Sequence, residues 1–160
     1  MSVETITTIS PNTNEPILTR TGASAQDLEL LPKVATQAFE KFRKTTLKSR
    51  QDILKKFLAI LGKHQDELAE ELTVQMGRPI AFGAKEVATA VKRAEYLLKI
   101  SDEVLADVDG EAEKGFKRFI RRVPVGPVLV IFAWNVSPLG YLCLVFLLSA
   151  GGLMSLSIRT

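Results

Sequence analysis

The sequence predicts an α/β fold: a β-hairpin, then a run of helices, then the first strand of an open sheet, left incomplete and ending in an apolar helix. Three observations carry this reading. Two Thr/Ile/Leu-containing stretches, residues 5–10 and 15–20, flank the turn-forming Pro11-Asn12-Thr13-Asn14, the pattern of a hairpin. From Ser24 onward apolar residues recur at spacings of three and four, interleaved with charged ones, as on amphipathic helices. Val128–Phe132 are β-branched, aromatic or leucine throughout, bounded by Gly126-Pro127 and by Asn135, which reads as a short strand buried on both faces.

The hairpin leads through Thr21-Gly22-Ala23 into the first helix. Ser24 can cap it, and Asp27 three residues on favours a helix N-terminus. Leu28, Leu31, Ala35, Ala38, Phe39 and Phe42 supply one apolar stripe. Pro32 has no amide to donate and disfavours a helix interior, which offers a second start near Leu31. A second helix is expected over Leu47–Lys63, with Ile53, Leu54, Phe57, Leu58 and Leu61 on one side and Lys48, Arg50, Lys55 and Lys56 on the other. A third, Gln65–Met76, carries Leu68, Leu72 and Met76 and stops at Gly77, a natural cap. After Pro79 a long helix over residues 80–108 presents Val87, Val91, Ala94, Leu98 and Val104, with Asp109-Gly110 closing it. The simplest account of these stripes is a core, with solvated charged faces opposite.

Charge is divided unevenly. The net charge is +3, yet residues 123–158 contain no charged group at all and Arg159 is the single cation beyond Arg122. Residues 114–122, Lys-Gly-Phe-Lys-Arg-Phe-Ile-Arg-Arg, combine cations with aromatics as a nucleic-acid surface does. Solvated cations explain the run more simply, and no nucleic-acid partner is expected. Cys143 is the only cysteine and His64 the only histidine, so neither a disulfide framework nor a metal site is expected; His64 reads as a solvated surface group. The first residues lack the basic and apolar regions of a secretory signal, and a cytoplasmic setting is the expectation.

The stretch with chemical content is Arg122-Val-Pro-Val-Gly-Pro-Val-Leu-Val-Ile-Phe-Ala-Trp-Asn135. In an open α/β sheet, ligands gather beyond the carboxyl ends of the strands. A polar amide there, Asn135, can direct an N–H into a cleft where an oxyanion develops.

This pattern, Arg-x-Pro-x-Gly followed by an apolar strand and Trp-Asn, resembles the start of the cofactor-binding domain of NAD(P)-dependent aldehyde dehydrogenases. Upstream, Ser10-Pro-Asn-Thr-Asn-Glu-Pro16, Ala38-Phe39, Arg50 with Ile53-Leu54, Leu72 and Met76-Gly-Arg-Pro79 with Glu86-Val87 resemble the same family's N-terminal region, in the same order. The resemblance implies an oxidoreductase converting an aldehyde to a carboxylate with NAD or NADP. It also implies a Rossmann-type domain, an oligomerisation strand near residues 114–122, and an aldehyde substrate. Carried over by position, Asn135 is the oxyanion donor, a catalytic role, and Ile131, Phe132 and Trp134 lie at the cofactor. Ala133 stands where the family has proline.

Beyond Asn135 the resemblance thins to Leu148, Gly151-Gly152 and Arg159. The family's nucleophilic cysteine and general-base glutamate have no counterpart. Cys143, inside a Leu/Val/Phe run, is a poor substitute because an apolar setting suppresses the thiolate. The sequence thus divides into residues 1–135, a dehydrogenase-like region, and residues 136–160, a divergent apolar tail. As written, the chain is expected to be truncated relative to the family and inactive. Val136-Ser137 is what a splice-donor sequence encodes when read through in frame, so a mis-spliced tail and a genuinely divergent one are both open. Residues 139–158 also have the length and apolarity of a membrane-spanning helix, giving a membrane-anchored alternative. A further alternative is a helical interaction module that pairs with intact homologues, or with a second copy, through an exposed strand edge.

Overall fold

The computed structural model of the chain describes residues 4–132 and 155–159. It begins with an antiparallel hairpin of β1 (Thr5–Ile9) and β2 (Pro16–Thr21), irregular between Thr8 and Ile9. The Ser10 hydroxyl accepts hydrogen bonds from the amides of Asn12 (3.3 Å) and Thr13 (3.4 Å), while the Asn14 amide donates to the Ser10 carbonyl (2.8 Å). Asn14 takes a left-handed conformation with φ of 61°, which asparagine tolerates better than most residues.

Helix α1 (Ala25–Phe42) starts at Ser24, not at Leu31. A capping box decides this. The Ser24 hydroxyl accepts from the Asp27 amide (3.1 Å), and the Ser24 amide donates to the Asp27 carboxylate (2.9 Å), so two otherwise orphaned donors are satisfied together. Pro32 is accommodated within the helix; its missing amide removes only the bond to the Leu28 carbonyl.

The Ser24 bonds, side chain first and backbone second, hold the Asp27 carboxyl below its ordinary value. A depressed acid contributes stability that is present above the unfolded pKa and lost as pH falls through the folded one. Acid titration is therefore expected to loosen the first turn of α1 as Asp27 protonates. Amide exchange at residues 26–28 should accelerate there, and Asp27→Ala should show fast exchange already at neutral pH. Protection of those amides that ignores both acid and the substitution would contradict the capping role.

Three helices form the core. α2 (Leu47–Lys63) is capped by the Thr46 hydroxyl, which accepts from the Ser49 amide (3.2 Å). α3 (Gln65–Met76) follows through His64 and ends at Gly77, whose φ of 69° is left-handed. A Cβ at Gly77 would lie 3.0 Å from the Pro11 side chain, so the glycine serves both the helix stop and the close approach of the hairpin turn. Asn12 Nδ2 donates to the Thr73 carbonyl (3.4 Å) at the same junction.

α4 (Ile80–Val104) is the central element. Its buried residues Gly83, Val87, Ala90, Ala94, Leu98 and Ser101 keep a strict three/four spacing, and they face α3 and α2. Leu54, Leu58, Ala94 and Leu98 form one buried cluster, with Leu61, Val91 and Leu97 packed against it. A polar clasp fixes the register of α2 on α4. Gln51 Nε2 donates to Ser101 Oγ (2.8 Å) and to Asp102 Oδ1 (3.0 Å), and Ser101 Oγ donates to the Leu98 carbonyl (2.7 Å). Every donor in this buried set has an acceptor, which removes the desolvation penalty it would otherwise carry. Arg50 is buried beside it and donates to the Thr45 carbonyl (2.5 Å); burial draws its guanidinium below the usual value.

α4 ends at Val104, four residues short of the sequence expectation. Val108 and Asp109 instead form β3 (Val108–Asp109), antiparallel to β4 (Phe119–Ile120), with Val108 opposite Ile120. Asp107 and Arg121 pair beside the strands, through contacts of 2.6–3.2 Å. Gly110 thus opens a β connection rather than closing a helix. Its amide donates to the Arg118 carbonyl (2.9 Å), and a Cβ there would meet Arg118 Cβ at 3.2 Å.

β5 (Val128–Phe132) lies where the sequence places it, but it is not buried on both faces within the described residues. Val128 and Val130 are half-buried while Leu129 is 54% exposed. Its partner is β6 (Ser155–Arg159), and the two run parallel. Ser155 to Ile158 therefore belong to a strand and not to the end of an apolar helix. Residues 139–154, the remainder of the candidate membrane span, lie outside the described residues. Among the described residues no helix is long and apolar enough to cross a membrane.

Candidate functional site at the carboxyl end of the parallel strands

Ile131 and Phe132 are the last two residues of β5, in register with Ile158 and Arg159 of β6. Parallel strands align their carboxyl ends on one edge, and in open α/β sheets that edge borders the ligand crevice. Of the residues singled out in the sequence, the structure places Ile131 and Phe132 at this edge. Trp134 and Asn135 lie outside the described residues, as does Cys143.

β6 is the element that sequence reasoning missed. Inside an apolar tail, Ser155-Leu156-Ser157-Ile158-Arg159 alternates polar and apolar residues, a period of two that marks a strand. Parallel pairing with β5 puts its last residue, a permanent cation, across from Phe132.

Other candidate features resolve into structure. Of the basic segment, Arg121 is bidentate on Asp107 and stacks 4.7 Å above the Phe119 ring, Arg118 pairs with Glu113, and Arg122 donates to the Ala106 carbonyl (3.1 Å). The Arg121 hydrogen bond holds the Asp107 carboxyl below its ordinary value. These cations are spent within the β3–β4 unit. His64 caps the end of α2 and shares a 2.8 Å contact between Nδ1 and Glu67 Oε2, with half of its side chain in solvent. A groove of about 560 Å³ between α2 and α4 is lined by residues that include Lys55, Lys99, Glu95 and Asp102, a mixed set with no nucleophile beside a base. Among the described residues no group of three His, Cys, Asp or Glu could hold a metal ion.

The helical unit, the hairpin and the parallel strand pair define an α/β protein. Known proteins agree. The profile of the Aldehyde dehydrogenase family matches residues 1–147. A succinate-semialdehyde dehydrogenase (NADP(+)) of Mycobacterium avium is 29% identical over 133 residues, which are 81% of this chain and 28% of that protein. The solved aldehyde dehydrogenase KauB of Pseudomonas aeruginosa superposes with a TM-score of 0.88 at 25% identity, covering 98% of this chain and 32% of that one. PnpE, solved in complex with nicotinamide adenine dinucleotide, gives 0.89 at 22% identity, with 98% and 32% covered. The chain belongs to the aldehyde dehydrogenase family, and it spans less than a third of the length of these relatives.

Proposed function

We propose that the chain forms the nucleotide-binding edge of an NAD(P)-dependent, aldehyde-oxidising enzyme and does not complete the reaction by itself. The observation that supports this reading is the parallel β5–β6 pair, which gathers Ile131, Phe132 and Arg159 at one carboxyl edge, where a dinucleotide is bound in open α/β sheets. These residue types fit a nicotinamide dinucleotide: apolar strand-end residues for its rings and backbone, a cation for its phosphates. When bound, the dinucleotide supplies the hydride acceptor for aldehyde oxidation.

In this reading residues 1–135 are the dehydrogenase-like region and residues 136–160 a divergent tail that returns to the sheet through β6. Asn135, three residues past β5 in the sequence, is assigned as the oxyanion donor, since a side-chain amide can donate to the oxygen that becomes negative when a thiol adds to an aldehyde. Trp134 is assigned to cofactor binding in the same reading. A donor alone does not lower the barrier without a nucleophile, and Cys143 in its apolar run is not disposed to ionise. A cytoplasmic setting goes with the reading.

Purified chain, mixed with short aldehydes and either NAD or NADP, is therefore expected to produce no reduced nicotinamide absorbance above the protein-free rate, while adenine nucleotides still bind. Sustained turnover would overturn the proposal.

A second reading is favoured by the β3–β4 unit and the segment that follows it, where Phe116, Ile120 and Val123 are each more than two-thirds exposed and Val125 is 91% exposed. Such a strand-bearing apolar surface is suited to pairing with an intact homologue or a second copy, and co-purification with a full-length family member would separate it from the first.

A further inference from the structure

We infer that the exposed face of α4 around Tyr96 pairs antiparallel with the same face of a second copy of this chain. The surface is separate from the β5–β6 edge and from the β3–β4 unit, so the inference stands without the nucleotide-binding reading.

The order of charge along the helix carries the argument. Lys92, Glu95, Tyr96, Lys99 and Glu103 follow one another at spacings of three and four, and all are exposed. They therefore share one side of α4, away from the buried Ala90, Ala94 and Leu98. From the N-terminus the signs run plus, minus, plus, minus. Turned end for end, the series becomes its own complement. A two-fold axis crossing α4 between Leu97 and Leu98 sets Glu95 of each copy against Lys99 of the other, and Lys92 of each against Glu103 of the other. This is an isologous contact, in which one patch serves both sides. A parallel arrangement in register would oppose like charges.

These charges are not used within the chain. Among the described residues none of the four enters an ion pair, although Glu95 with Lys99 and Lys99 with Glu103 have the spacing that permits one. Tyr96, 61% exposed, stands at the centre of the series, and the same axis brings it beside Tyr96 of the second copy. A tyrosine at the middle of a patch is the residue type on which interfaces concentrate their binding energy. The 25 residues of α4 make a rod about 37 Å long. One helix pair of that length buries less than the roughly 1,600 Å² of a standard interface, so a weak, reversible and salt-sensitive dimer is expected.

Sedimentation equilibrium of the purified chain over a range of concentrations tests this. A monomer–dimer equilibrium is expected at low salt, weakening in about 1 M salt, where screening acts over about 3 Å. Lys99→Glu and Glu95→Lys should each weaken association at least about tenfold, because each places like charges together twice across the axis. Mixing the two single variants should restore a dimer with one chain of each kind. The double variant Glu95→Lys with Lys99→Glu should again pair with itself, and Tyr96→Ala should weaken pairing at unchanged charge. Unaltered far-ultraviolet dichroism in every variant would show that the helix persists. A purely intrahelical role for these charges would move the melting temperature and leave association alone. A chain that stays monomeric at low salt overturns the inference. So does a dimer indifferent to both single charge reversals, which would locate self-association elsewhere, as on the strand-bearing surface of the second reading.

Discussion

Gly83→Val is expected to destabilise the chain by roughly 2–3 kcal/mol, because α3 and α4 touch at that residue with no room for a side chain. A Cβ built on Gly83 would lie 2.7 Å from Ala69 Cβ and 2.8 Å from Ala69 Cα. The second of these atoms is backbone, so relief requires the helices to separate. Separation would in turn open the packing of Val87 and Ala90, which are 1% and 0% exposed on the same face. Against this, valine gains only about half a kcal/mol of helix propensity over glycine. Overpacking dominates, and the melting temperature should fall by on the order of 10 °C. Gly62→Ala provides the control. It also lies inside a helix, but nothing stands within 4 Å of the added atom, so it should be neutral or stabilise by up to about 1 kcal/mol. Equal melting temperatures for the two variants would show that the α3–α4 contact is not tight.

What could be read from the sequence here is what is encoded locally. Ser24 with Asp27, and Gly77 after Met76, announce helix ends because the atoms that satisfy the end groups lie within a few residues. For the same reason α2 and α3 fall within the expected bounds. Pro32 left two starts for α1, and the capping box, a sum of two hydrogen bonds, outweighs one missing amide. Elements decided by distant partners were hidden. Val108 belongs to a strand because Ile120 and Arg121 return to meet it and Asp107, and nothing within a helical turn of Val108 reports that. Ser155 to Arg159 sit at the end of an apolar run whose overall hydropathy suggests a bilayer, and their alternation is only five residues long. The candidate site divides in the same manner. Ile131 and Phe132 entered the candidate site through the family resemblance, and the strand they end was legible in its apolar run, whereas the pairing of Arg159 with Phe132 depends on the register with a strand more than twenty residues earlier.

Ile53 and Leu54 give the largest contrast between neighbours that sequence treats alike. Both are aliphatic, both lie on the apolar side of α2, and both contribute to the same family resemblance. Leu54 is 4% exposed within the cluster of Leu58, Ala94 and Leu98, whereas Ile53 is 53% exposed. Leu54→Ala should therefore remove a side chain from a site where α4 presents the small Ala94 and cannot collapse inward. The lost transfer energy and the residual cavity together should cost about 2–5 kcal/mol. The Gln51 clasp, one helical turn earlier, should hold α2 in place and so limit relaxation into the void, which favours the upper part of that range. Ile53→Ala leaves no enclosed cavity and should cost under about 1 kcal/mol. Urea titrations should show a lower midpoint for Leu54→Ala with an unchanged slope, since the surface exposed on unfolding is nearly the same. A loss at Ile53 as large as that at Leu54 would mean that the outer face of α2 is covered in solution, and that the core extends beyond the helices that now define it.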